Sequence, residues 1–311
     1  MEILVTGGAG FIGHHLIKRL LNDGNSVVCI DNLLTGNIHN ILEFKKNENF
    51  KFIEKDIIYL KYLNFNINFD QIYNLACPAS PKKYQENPIH TIKTNTIGII
   101  NILDLAVHHN ARIFQASTSE IYGDPMIHPQ TEDYFGNVNT IGVRSCYDEG
   151  KRIAETLFSD YHRVYGTDIR IARIFNTYGE YMQPDDGRII TNFIYQSLNK
   201  KPLKIYGDGK QTRSLCYIND LIEGLISLMG KEGAQFHKPY NLGNPEEIIV
   251  IDIAKKVAEL TNNNLEFIFL ELPEDDPIRR KPNIEKAQKD LNWMPNITLE
   301  NGLLRVISFL K

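Results

Sequence analysis

Long apolar runs are missing from this 311-residue chain, and so is any cluster of cysteines. No stretch approaches the roughly 20 apolar residues that a membrane-spanning helix needs, so no membrane partner is expected. The four cysteines, Cys29, Cys77, Cys146 and Cys216, stand far apart with no CxxC pair. That spacing argues against a zinc site and a disulfide framework, and fits a reducing, cytoplasmic compartment. A basic excess is lacking too: 34 Lys and Arg against 38 Asp and Glu give a formal net charge of −4. Nucleic acid is therefore not an expected partner, and an anionic ligand needs a local basic site. His14 and His15 form no metal-ligand spacing with other candidates, the remaining histidines read as ordinary surface or core residues, and no metal is assigned. A strand is read from Glu2 onwards, so no signal peptide or anchor is expected.

What is present is an alternation. Ile3–Val5, Val27–Ile30, Phe50–Ile53, Gln71–Leu75, Arg112–Phe114 and Ile169–Ala172 are short runs, most of them rich in β-branched or aromatic residues. Helical patterns separate several of them, as in right-handed βαβ units. The segment Ile89–His109 reads as one helix, apolar on nearly every face. Such a helix is buried on two sides, either within its own chain or at a seam between two copies. Beyond Asn176 the alternation loosens, with turns at Pro184–Gly187, Gly207–Gly209 and Gly243–Pro245 and short helices at about Ile251–Leu260 and Leu299–Leu310. Residues Asn64–Asn68 read as an inserted surface loop.

Thr6-Gly7-Gly8-Ala9-Gly10-Phe11-Ile12-Gly13 follows the first strand directly and opens the helical pattern His14–Leu21. Glycines at 7, 10 and 13 allow a tight turn, close approach of a pyrophosphate, and close helix–strand packing. Free N–H groups at the helix start attract phosphate charge. Asp31, ending the second strand, is placed to accept hydrogen bonds from ribose hydroxyls and repels a 2′-phosphate, which favours NAD over NADP. The expected fold is α/β: a Rossmann-type, doubly wound parallel sheet over residues 1–175, with a smaller substrate-binding lobe drawn mainly from 176–311. Some late segments are expected to return to the first domain.

Tyr147 and Lys151 are four apart at the start of a helical run, so they share one face. A free tyrosine, with a pKa near ~10, is a poor base at neutral pH, and a neighbouring ammonium favours its phenolate. Ser117, Thr118 and Ser119 stand at a strand end, where open parallel sheets bind their ligands.

These residues resemble the extended short-chain dehydrogenase/reductase family over essentially the whole chain. The resembling segments are Leu75–Pro81, Lys93–Gly98, Ser117–Pro125, Cys146–Arg152, Ala172–Gly179 and Arg280–Pro282. Within the family, 4,6-dehydratases carry Thr-Asp-Glu after the strand and 4-epimerases carry small hydroxyl or alanine residues. Thr118-Ser119-Glu120 resembles the form of the branch that decarboxylates UDP-glucuronate. Cys77 departs from the pattern, where serine is expected, and Gly142–Ser145 differs from the usual loop without evident chemical consequence.

The resemblance implies UDP-glucuronate as substrate, UDP-xylose as product, NAD as cofactor and a homodimer. It implies Tyr147, Lys151, Thr118, Ser119, Glu120 and Arg280 as catalytic residues. Tyr147 would take the C4 hydroxyl proton, Lys151 lower its pKa, and Thr118 or Ser119 orient the C4 oxygen. Glu120 would handle the C5 proton through water, and Arg280 would hold the uronate carboxylate or assist protonation. Expected cofactor contacts come from Gly7, Gly10, Phe11, Ile12 and Gly13, from Asp31, Asn32 and Thr35, and from Asp56 and Ile57. Leu75, Cys77, Thr94, Ala116, Tyr147, Lys151, Thr177 and Arg188 complete them. Lys93, Asn176, Arg213 and Arg280 are expected on the substrate, with Arg213 as the diphosphate clamp because a guanidinium suits bidentate phosphate contact. A 4,6-dehydratase or 4-epimerase of the same family, or a non-catalytic NAD-sensing protein, are the rival readings.

Overall fold

The six short apolar runs all form strands: β1 (Glu2–Thr6), β2 (Ser26–Asp31), β3 (Phe50–Glu54), β4 (Gln71–Asn74), β5 (Arg112–Thr118) and β6 (Ile169–Ile174). The computed structural model describes residues 1–62, 65–184, 187–263, 266–271 and 279–311, without the side chains of 61 and 62. Ile3, Leu4 and Val5 of β1 are fully buried. A parallel strand covered on both faces needs apolar residues on both, which is why the β1 run is continuous, whereas in the half-exposed edge strand β3 Phe50 and Phe52 alternate with Lys51.

A seventh strand, Tyr240–Leu242, pairs in parallel with β6, and the sheet runs Tyr240–Leu242, β6, β5, β4, β1, β2, β3. This is a Rossmann-type sheet whose strand order reverses between β1 and β4, and the crevice there is where such sheets bind ligands. Helix α1 (Phe11–Asn22) follows β1. The sequence hides the seventh strand because it is only three residues long and far along the chain. Of the loop read at Asn64–Asn68, residue 64 lies outside the described residues, and 65–68 carry neither helix nor strand. Of the turn read at Pro184–Gly187, residues 185 and 186 lie outside them.

The apolar segment read as one helix is three: α3 (Pro88–Lys93), a π-helical turn (Thr94–Gly98) and α4 (Ile99–His109), preceded by α2 (Pro81–Glu86). Its inner side, including Ile99, Ile102, Leu103 and Ala106, is buried with Leu4, Ile72, Ile113 and Phe158. Its outer side leaves Ile97, Ile100 and Val107 exposed. Burial within the chain thus accounts for one face of this segment only.

Later segments pack around α6 (Ile189–Leu198), α7 (Ile218–Gly230) and α8 (Val250–Leu260). Leu203–Tyr206 runs parallel to Phe267–Leu270, and Thr212–Ser214 antiparallel to Glu247–Ile249. These short pairs bring Lys204, Tyr206 and Arg213 to the same crevice that the phosphate loop lines.

Candidate active site

The crevice holds a cavity of about 550 Å³. At its β1 end the glycine loop makes the turn that its sequence requires. Gly7 has φ +72°, where a side chain is strained, and a Cβ on it would lie 2.7 Å from the Ala76 nitrogen. A Cβ on Gly13 would lie 2.5 Å from the Gly7 carbonyl oxygen. Gly10 starts α1 with no side-chain cap, leaving first-turn N–H groups for an anion. Asp31 Oδ2 accepts from Ala9 N at 3.0 Å and Oδ1 from Leu33 N at 2.8 Å. Burial raises the Asp31 pKa while those backbone bonds oppose it. A Cβ on Gly36 would meet Asp31 Oδ1 at 2.8 Å, so the chain closes tightly round this carboxylate.

Tyr147 and Lys151 stand on α5 (Ser145–Tyr165), with Glu155 one further turn along the same face. Glu155 is bound by Arg173 of β6, with Nη2 to Oε2 at 2.9 Å and Nε to Oε1 at 3.1 Å, and by the Ser117 hydroxyl of β5. Buried, bidentate and shared between three elements, this pair sets the height and rotation of α5 over the sheet. Close packing does the rest: a Cβ on Gly150 would lie 3.0 Å from Asn95 Nδ2 of the π-turn. Lys151 Nζ donates to the Ala116 carbonyl at 2.8 Å and lies 5.8 Å from the Tyr147 ring centre. The Tyr147 ring stacks on Tyr84, with centres 4.9 Å apart and planes 5° from parallel.

The lowering of the Tyr147 pKa expected from Lys151 is not what the site shows. Burial pushes Tyr147 above its ordinary value, Cys77 adds to the rise, and a hydrogen bond with Thr118 opposes it. Thr118 Oγ1 accepts from Glu120 N at 3.2 Å, which leaves its own proton free for the Tyr147 oxygen. A donor to the phenolate stabilises that form, hence the downward effect. Burial also lowers the Lys151 pKa, against the pull of Cys77 and Glu155.

Glu120 sits between two arginines. Arg280 holds it with two nitrogens, Nη1 to Oε1 and Nη2 to Oε2 at 3.0 Å, and Arg144 Nη2 donates to Oε2 at 2.7 Å. Burial alone would raise the Glu120 pKa, but the two guanidiniums outweigh it and hold the carboxyl well below its usual range. In this state Glu120 is a carboxylate and a poor proton donor. Arg280, expected on the uronate, is engaged with Glu120, yet its Nε is buried without a hydrogen-bond partner among the described residues. Arg144 lies in the segment read as chemically inconsequential, and that reading is corrected here. The residue just before α5 is buried at the site because its guanidinium reaches Glu120.

All the expected site residues but one line the cavity, from the glycine loop through Asp31, Asn32, Thr35, Asp56 and Ile57 to Thr177, Arg188, Asn176 and Arg213. The exception is Lys93. On α3 the cavity takes His90, and Thr94 just beyond the helix, while Thr91 and Asn95 are buried beside them. Lys93 is left on the outer face, exposed and away from the cavity. Sequence reasoning missed Tyr84, His90, Arg144, Gln183, Lys204 and Tyr206, which also line it. No motif marks them, although Tyr84 and His90 lie between the recognised Leu75–Pro81 and Lys93–Gly98 segments.

A family described as GDP-mannose 4,6 dehydratase matches residues 4–306. UDP-glucuronic acid decarboxylase 1 of Arabidopsis thaliana is 50% identical over 308 residues, covering 99% of this chain and 69% of that protein. UDP-glucuronic acid decarboxylase 1 of Xenopus tropicalis is 48% identical, covering 100% of this chain and 72% of that protein. Among solved structures, UDP-glucuronic acid 4-epimerase from Bacillus cereus, in complex with UDP-glucuronic acid and NAD, superposes with a TM-score of 0.89. It is 30% identical, covering 100% of this chain and 99% of that one. Full-length identity near one half, the reversed strand order and the paired tyrosine and lysine agree, and the chain belongs to the GDP-mannose 4,6 dehydratase family of extended short-chain dehydrogenases/reductases, beside the UDP-glucuronic acid decarboxylases.

Proposed function

We propose that the protein converts UDP-glucuronate to UDP-xylose and CO₂ by transient oxidation at C4 with bound NAD. The observation that carries this reading is the Arg144–Glu120–Arg280 cluster on the wall of the cavity that holds Tyr147. A 4-epimerase needs no such carboxylate between two cations. Relatives at about half identity bear the decarboxylase name, whereas the epimerase named for the same substrate stands at 30%.

The residues present fit NAD: an uncapped helix start faces the cavity beside a carboxylate that ends β2. Held there, NAD⁺ would supply the hydride acceptor for the oxidation at C4 and the hydride donor for its re-reduction. Tyr147 takes the C4 hydroxyl proton, and Thr118 supports the phenolate through their hydrogen bond. Lys151, tied to the Ala116 carbonyl, has its ammonium fixed 5.8 Å from the Tyr147 ring centre and would hold the nicotinamide ribose. Oxidation makes a ketone β to the carboxylate, so CO₂ leaves with its electrons drawn into the ketone and no metal is required. Arg280 receives the uronate carboxylate in exchange for Glu120, while Arg144 keeps hold of Glu120. Losing one of its two cations raises the Glu120 pKa, which lets it pass a proton to C5 through water. Ser119 orients the C4 oxygen, and Arg213 and Asn176 hold the diphosphate. Residues 1–175 hold the cofactor on this reading and 176–311 mainly the nucleotide-sugar.

Incubation with UDP-glucuronate should release CO₂ and yield UDP-xylose by NMR, and a protein that releases no CO₂ does not have this function. Homodimerisation belongs to the same proposal, supported by the exposed Ile97, Ile100 and Val107 on one segment and Ile153 on α5. Sedimentation at micromolar concentration should give a dimer; a monomer would contradict it. Four free cysteines fit a cytoplasmic setting, and no described helix is long and apolar enough to cross a membrane.

A further inference from the structure

His90 was read from sequence as an ordinary histidine, yet it lines the cavity. Its Nε2 lies 2.7 Å from Asp56 Oδ2. Asn32 Nδ2 donates to the same oxygen, also at 2.7 Å. The other oxygen, Oδ1, accepts from Ile58 N at 2.9 Å. An ionised carboxylate offers about four acceptor positions. Two donors therefore fill Oδ2, while Oδ1 keeps one lone pair open.

On the other side of the His90 ring stands Thr94. Thr94 Oγ1 gives its proton to the His90 carbonyl at 2.9 Å and lies 3.4 Å from Nδ1. Because Asp56 is acceptor-only, the proton between the two side chains sits on Nε2. Asn32, Asp56, Ile57, His90 and Thr94 all face the cavity.

Their place in the sheet says which part of a dinucleotide they meet. The phosphate loop follows β1, Asp31 ends the neighbouring β2, and Asp56 follows β3, one strand further out. Adjacent strands are about 4.8 Å apart. A ligand with its pyrophosphate at Gly10 and a ribose at Asp31 therefore lays its base against Asp56 and Ile57. The edge of adenine carries an exocyclic amino group, a donor that matches the open lone pair on Oδ1.

We propose that His90 is a positioning residue for adenine recognition: it pins the Asp56 carboxylate so that Oδ1 points at the 6-amino group of the cofactor. The inference rests on the NAD reading above. Without His90, Oδ2 is held by Asn32 alone, the carboxylate turns, and the distinction between an amino and an oxo group at that edge weakens.

The test compares dissociation constants of the full chain for NAD⁺ and for nicotinamide hypoxanthine dinucleotide, in which an oxo group replaces the 6-amino group. A hydrogen bond to a carboxylate corresponds to about tenfold preference for NAD⁺ in the unsubstituted protein. In His90→Ala the preference should fall to about twofold, with UDP affinity unchanged as a check on folding. His90→Gln, whose amide nitrogen can reach Oδ2, should restore most of it. A His90→Ala protein that binds UDP normally and still prefers NAD⁺ about tenfold overturns the inference alone. A protein that binds neither dinucleotide overturns the NAD reading and the inference with it.

Discussion

Replacing Tyr147 with phenylalanine is expected to lower kcat by about 10²–10⁴-fold while UDP affinity stays within about twofold. The substitution removes only the oxygen. The ring stays stacked on Tyr84 at 4.9 Å, so neither α5 nor the cavity wall should move. What is lost is the proton acceptor at C4, and with it both the oxidation and the later reduction. The sign of the pH dependence follows from burial, which raises Tyr147 above its ordinary value. The base is the deprotonated form, so its population grows as pH rises, and kcat/KM should climb from neutral toward alkaline pH. Steady-state rates of wild type and Tyr147→Phe over that range check both points. Turnover that survives in Tyr147→Phe, or a wild-type rate that falls with rising pH, would assign the base elsewhere.

Glu120→Gln is expected to destabilise the free protein by about 3–5 kcal/mol, the usual cost of removing one partner from a buried ion pair. Arg144 and Arg280 then lose the carboxylate that lies between them. UDP-glucuronate, by bringing its own carboxylate to Arg280, should raise the melting temperature of the variant more than that of wild type. UDP alone should raise the two equally. Differential scanning calorimetry with each ligand reads this directly. Equal shifts with UDP-glucuronate would mean that the uronate does not replace Glu120 at Arg280. The acid limb should differ as well. Because the folded pKa of Glu120 is depressed, its contribution is complete above the unfolded carboxyl pKa near ~4.3 and is lost as pH falls through the lower folded value. Glu120→Gln should lack that part of the acid sensitivity.

The parts legible in the sequence are those whose cause is local. Strand β1 could be read because burial on both faces writes an unbroken apolar run, edge strand β3 because Phe50 and Phe52 alternate with Lys51, and the glycine loop because its turn tolerates nothing larger at Gly7 and Gly13. The helical repeat put Tyr147 and Lys151 on one face, and the phosphate loop and the Ser117–Ser119 strand end upstream singled the pair out. The π-turn at Thr94–Gly98 left no trace, since one widened turn barely disturbs the spacing of apolar residues. It matters nonetheless, because it sets Asn95 against Gly150 beside Lys151. Lys93 belongs to a recognised segment, but a short helix has an outer face as well as an inner one. Arg144 and His90 were invisible for a different reason. Their partners, Glu120 and Asp56, lie 24 and 34 residues away, and only the fold brings them together. Glu120 and Arg280 were both read as chemical groups, yet their pairing across 160 residues was not, and that pairing decides the charge state of each.

The central claim is that C4 is oxidised only to release CO₂ and is then reduced again by the same hydride. UDP-glucuronate deuterated at C4, incubated with the protein and followed by NMR, tests this most directly. The account predicts one CO₂ per UDP-xylose formed, with the deuterium retained at C4. Product without CO₂, or UDP-xylose with protium at C4, would contradict it.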